Sequence, residues 1–80
     1  MPKFYNQPYI PDYATRISYT AGNLQEYIGE APPNSKETDS VWRIQKLVYN
    51  SSNLMTKRTW ADGTAGFTKQ WSNRSNFSYL

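Results

Sequence analysis

The side chains able to do chemistry are few, and the scarcity is itself informative. There is no histidine and no cysteine, so the usual general base and the usual strong nucleophile are both missing. Disulfides and the commonest zinc ligand sets go with them. The carboxylates are Asp12, Glu26, Glu30, Glu37, Asp39 and Asp62. Glu37 and Asp39 fall in a polar loop, and Asp62 belongs to an Asp-Gly turn. Glu26 and Glu30 sit in a stretch that reads as a strand, on one face but well separated. Carboxylate pairs can cleave glycosides, but a chain of 80 residues leaves little room for a cleft around one. The glycines, Gly22, Gly29, Gly63 and Gly66, make no phosphate-cradling motif. The sequence therefore predicts a protein that is not an enzyme and carries no metal or cofactor.

What remains is aromatic. There are thirteen aromatic residues, seven of them Tyr and three Trp, against four Leu, four Ile and two Val. A single small domain buries only roughly 60 to 65% of its unfolded surface, and with no disulfide or metal to staple it, association is the remaining route to stability. Tyr and Trp bring large area with a polar handle and are enriched at interfaces. Two uses follow for the aromatic residues. They form a core or an interface between copies, with Phe4, Tyr5, Tyr9, Tyr13, Trp42, Trp60, Trp71, Phe77 and Tyr79 as the candidates. Alternatively, Trp and Tyr faces beside arginine, such as Trp60 with Arg43 and Trp71 with Arg74, stack on a host glycan or on single-stranded nucleic acid. The net charge of +3 comes from dispersed residues, whereas a dedicated nucleic-acid binder concentrates its basic face, so nucleic acid is the disfavoured ligand. Three N-x-Ser/Thr sequons, at Asn50, Asn73 and Asn76, are chance in a chain rich in Asn and Ser.

The element that must position these rings is Val41 to Asp62, which reads as a long β-hairpin. Val41 to Tyr49 is rich in β-branched and aromatic residues with no Gly or Pro. Asn50-Ser51-Ser52-Asn53 is a turn cluster, and Leu54 to Ala61 returns. A four-residue loop sets Tyr49 against Leu54, Leu47 against Thr56, Gln45 against Arg58 and Arg43 against Trp60, a plausible cation-π pair. On the other face Trp42 meets Ala61, Ile44 meets Thr59, Val48 meets Met55, and Lys46 meets Lys57. That like-charge pair is unfavourable, so either the register slips or the pair splays into water or toward an acidic partner.

Around this hairpin, residues 1–14 read as an extended Pro- and aromatic-rich arm that lies across a neighbour or its own sheet. Residues 15–80 read as one small β-rich domain. Its first hairpin, about 15–30, turns at Ala21-Gly22-Asn23, and Gly29 ends its second strand or marks a bulge. Residues 31–40 are a polar loop with two prolines. Asp62-Gly63 is a turn. The stretch after it reads either as a short helix from about Thr64 to Asn73, with Phe67 and Trp71 on one face, or as a strand in which Phe67, Trp71, Phe77 and Tyr79 alternate; the helix is preferred. A terminal strand from Ser75 to Leu80 follows, whose apolar end predicts a docked carboxyl terminus. The fold class expected is mainly β: a small antiparallel hairpin module with an extended arm and one short helix near its end. No hydrophobic run approaches a membrane span, and the amino terminus lacks the apolar core of a secretory signal; a soluble product made in a cytoplasm is expected.

The order Tyr27-Ile28-Gly29, Ala31-Pro32-Pro33, Trp42-Arg43-Ile44, Trp60-Ala61-Asp62-Gly63, Trp71 to Arg74 and Phe77-Ser78-Tyr79 resembles short structural proteins encoded by tailed bacteriophages and prophages. The resemblance covers Tyr27 to Tyr79. It implies a virion component made in the bacterial cytoplasm: a tail, fibre, head-decoration or connector module, homo-oligomeric with a trimer favoured. The aromatic arm, which the resemblance does not reach, is expected to dock it onto a larger virion protein. It implies no active site.

Overall fold

The structure, a computed structural model, describes residues 12–80. It is mainly β, as the sequence predicts: four antiparallel strands, β1 (Ala14–Tyr19), β2 (Gln25–Ala31), β3 (Arg43–Tyr49) and β4 (Met55–Trp60), form one sheet in the order β1-β2-β3-β4. A 3-10 helix, Trp71–Asn76, follows. The expected arm residues Phe4, Tyr5 and Tyr9 lie outside the described residues.

The two hairpins are built by the same device. Tyr19-Thr20-Ala21-Gly22-Asn23-Leu24 and Tyr49-Asn50-Ser51-Ser52-Asn53-Leu54 stand thirty residues apart and share the pattern Tyr-x-x-x-Asn-Leu. In each, an Asn N–H donates back three residues, from Asn23 to Thr20 O (3.0 Å) and from Asn53 to Asn50 O (3.0 Å). The N–H of Thr20 donates to Leu24 O at 2.7 Å and that of Asn50 to Leu54 O at 2.9 Å. Asn23 and Asn53 both hold positive φ, 67° and 64°, a conformation that Asn tolerates better than other side chains. Side-chain oxygens brace the loops from inside. Thr20 Oγ1 accepts from the N–H groups of Gly22 and Leu24, and Asn50 Oδ1 from those of Ser52 and Leu54. This is a three-residue hairpin loop with the left-handed residue last. In each hairpin a further register shift follows at the tyrosine, between Ser18 and Tyr19 and between Val48 and Tyr49.

Those irregularities correct the expected register of the second hairpin. Gln45, not Arg43, stands opposite Trp60; Leu47 faces Arg58, Tyr49 faces Met55, and Lys46 faces Thr59 while Lys57 faces Val48. The slip is two residues from Gln45 to Val48, so those side chains keep their expected faces, and one residue at Tyr49, which moves Met55 from the Val48 face to a place opposite Tyr49. Arg43 still reaches Trp60 diagonally, with Cζ 5.7 Å from the ring. The slip also separates Lys46 from Lys57, relieving the like-charge pair.

The face of the sheet that carries Trp42 and Ile44 bears the core: Tyr27, Ala31, Trp42, Ile44, Ala61 and Trp71, with Ala14, Val41, Phe77 and Tyr79 packed against them. Gly29 corrects another expectation. It neither ends β2 nor marks a bulge but lies within the strand, opposite Arg16 and Ile44. The indole of Trp71 fills the space above it: a Cβ there would meet Trp71 Cε3 at 2.5 Å.

The segment after β4 differs most from its expected form. Asp62 and Gly63, φ 53° and 72°, make a tight turn of the doubly left-handed type, closed by Thr64 N–H to Ala61 O at 3.2 Å. No helix spans 64–73; the chain there returns to pair Lys69 with Trp42 in an isolated bridge of two 2.8 Å hydrogen bonds. The helix begins only at Trp71, where the core needs the ring. The expected terminal strand reduces to one bridge, Ala61 with Tyr79. The terminus is docked through Leu80 N–H to Trp60 O at 3.2 Å, although the Leu80 side chain is exposed.

Candidate interaction surface

The aromatic candidates divide between the two faces of the sheet. On the core face, Trp42 has no exposed surface, and its indole N–H donates to Lys36 O at 2.9 Å, so the polar handle of the ring is satisfied inside the fold. Trp71 lies tilted against it, centroids 6.1 Å apart. Tyr79 packs on Tyr27 at 5.4 Å and donates its hydroxyl to Arg74 O at 2.5 Å. Cations cover the rim of this core: Arg16 over Trp42, Arg74 over Trp71, Lys46 over Tyr27 and Lys69 over Phe77, at 4.6 to 5.9 Å. The loop between β2 and β3 is tied down here. Arg16 Nε pairs with Glu37 Oε2 at 3.1 Å, and Ser72 N–H donates to Glu37 O at 3.0 Å.

Burial pushes the Tyr79 hydroxyl well above the ordinary tyrosine range; nearby Tyr27 and Asp62 act the same way, and Arg74 opposes them. Below about pH 10 the ring is protonated in both the folded and the unfolded chain. Above that pH the unfolded chain gives up this proton and the folded chain keeps it, so stability falls as pH rises. Thermal melts of the native chain and of Tyr79→Phe should therefore converge as the pH is raised above about 10. At neutral pH the variant should be the less stable by about 0.5 to 1.5 kcal/mol, for the lost bond to Arg74 O.

On the opposite face, Arg43 gathers Tyr13, Trp60 and Phe67 around its guanidinium, with centroids 5.3, 5.7 and 4.8 Å from Cζ. Tyr13 and Phe67 touch at 5.5 Å, and Glu30 Oε1 accepts from Arg43 Nη2 at 2.7 Å. The expected Arg43–Trp60 pair is thus one wall of a larger cluster. Sequence reasoning missed Phe67 and Glu30 as its members; Glu30 stands directly opposite Arg43 in the β2–β3 register, a signal visible only once the strands are aligned. Tyr13, assigned to the arm, packs on the domain.

Among the described residues, no group of three His, Cys, Asp or Glu side chains comes together, and no pocket opens. Among the same described residues, no helix is long and apolar enough to cross a membrane.

Both packed clusters lie toward the end of the sheet where β2 crosses to β3. The other end, which carries the two turns, is bare: β4 is exposed from Met55 to Arg58. Ile17, Tyr19, Leu54 and Met55, four of the five large exposed apolar residues among those described, lie there. These four were not among the candidates; Ile17, Tyr19 and Met55 lie on the edge strands β1 and β4, and Leu54 in the turn just before β4.

Comparison with protein-family models, with curated proteins and with solved structures finds no match to this chain.

Proposed function

We propose that the chain is a non-enzymatic structural module that works in repeated copies, and that it serves as a component of a tailed-phage particle. The observation that carries the first half is the bare turn end of the sheet. A two-sided β surface with exposed Ile17, Tyr19, Leu54 and Met55 gains stability when other strands cover it, and most of the core that one chain supplies lies toward the far end, Leu47 being the buried side chain nearest the turns. The second half draws on the sequence resemblance over Tyr27 to Tyr79. Because Tyr13 packs on Phe67 and Ala14 opens β1, the arm is shorter than the fourteen residues expected. In that reading the residues before Tyr13 attach the module to a larger virion protein, and the particle is where the protein resides.

A platform for glycan or single-stranded nucleic acid has less support. Trp42 and Trp71 are buried, and Trp60 stands against Arg43, so the rings it would use are engaged within the fold. The experiment is the solution mass of the purified chain by light scattering over a concentration series. A folded oligomer supports the structural reading; a folded monomer at every concentration overturns it.

A further inference from the structure

The thirty-residue repeat carries an unfinished contact. Within the chain, the second hairpin docks on the first by pairing β3 with β2. Tyr49 spans the junction, its hydroxyl donating to Gln25 O at 2.7 Å; beside it Leu47 on β3 is only 6% exposed, and Leu24, at the start of β2, is half-buried. Each of these has a counterpart thirty residues away. Leu47 and Tyr49 correspond to Ile17 and Tyr19 on β1; Leu24 and Gln25 correspond to Leu54 and Met55 at the start of β4. The counterparts are 40%, 55%, 63% and 50% exposed, in that order. The exposed apolar residues at the turn end are therefore the two unmated halves of the contact that joins the hairpins, one half on each edge of the sheet.

We infer that a second copy of this chain docks head to tail, its β4 pairing antiparallel with β1 and repeating between chains the junction that β2 and β3 make within one. The strand directions permit it, since a meander of four alternating strands presents edges that run opposite ways. Tyr19 then donates its hydroxyl to the Met55 carbonyl of the second copy, as Tyr49 does to Gln25. Extending the β2–β3 register puts Lys57 of that copy opposite Arg16. The half-exposed Glu37 carboxylate already paired with Arg16 stands beside both cations to offset their repulsion. The contact joins two different surfaces, so it propagates: the assembly closes as a ring or grows as a filament.

The inference rests on the oligomer reading above, and its test separates the two. Ile17→Lys blocks the β1 half and Leu54→Lys the β4 half, both at exposed positions. Each variant alone should be a monomer by light scattering, and an equimolar mixture of the two should form a one-to-one dimer through the halves left intact. If the native chain is oligomeric while either variant keeps the native mass, the head-to-tail junction is wrong and the oligomer reading stands. If the native chain is monomeric, both fall. Should a lysine variant unfold, a mixture of Tyr19→Cys and Leu54→Cys chains treated with a short thiol cross-linker decides. The chain has no other cysteine, so linkage between the two variants supports the junction. Linkage only within each variant overturns it, as does none.

Discussion

Replacing Trp42 with alanine is expected to cost about 3 to 5 kcal/mol, the usual penalty for emptying a large aromatic site in a core. The ring has no exposed surface and lies against Trp71. Its backbone also holds the returning chain, through the paired hydrogen bonds with Lys69. Its indole N–H organises the loop through Lys36 O, and truncation leaves that carbonyl unpaired. A single core in so small a domain rarely supplies more than about 3 to 5 kcal/mol, so the variant should be largely unfolded at room temperature. Urea titration followed by circular dichroism checks this. A midpoint close to that of the native chain would mean that the ring is a surface platform and that the core has been misassigned.

Gly29→Ala should be the other severe substitution, although it adds one methyl group. The new Cβ would lie 2.5 and 2.8 Å from Trp71 Cε3 and Cζ3 and 3.2 Å from Trp42 Cε3. Neither neighbour is the free end of a flexible side chain; both are rigid rings held in the core. Overpacking of this kind costs about 1 to 3 kcal/mol or more, and moving Trp71 would also pull the 3-10 helix from the sheet. If contact with Trp71 is the cause, Gly29→Ala should be less damaging in a Trp71→Phe background than in the native one, a coupling that a double-mutant cycle measures directly. Equal losses in both backgrounds would assign the cost to the strand itself.

These two residues also mark what was legible in the sequence. Trp42 was readable as core because it stands in a run of strand formers without Gly or Pro, and two hairpins with a short helix near the end follow from comparably local signals. Gly29 was not: its role depends on Trp71, far along the chain, and a glycine inside a strand pattern reads locally as an end or a bulge. The helix was misplaced for a related reason. Trp71 and the Lys69–Trp42 bridge fix where the chain turns, and neither leaves a trace in the composition of residues 64–70. The register error came from Asn53. A positive-φ Asn and a bulge shift the ladder by two residues from Gln45 to Val48, and only the face assignment survives there. The unmated junction was written in the sequence as Tyr-x-x-x-Asn-Leu repeated at thirty residues, but nothing in one strand's pattern says which copy of a contact will find its partner.

The account stands or falls on whether the chain completes its sheet with another copy of itself. Light scattering across a concentration series, with circular dichroism on the same samples, tests this most directly. The account predicts a mass that is a multiple of 9.3 kDa, falling on dilution together with the β signal as the uncovered turn end loosens. A well-folded 9.3 kDa species at every concentration would contradict it.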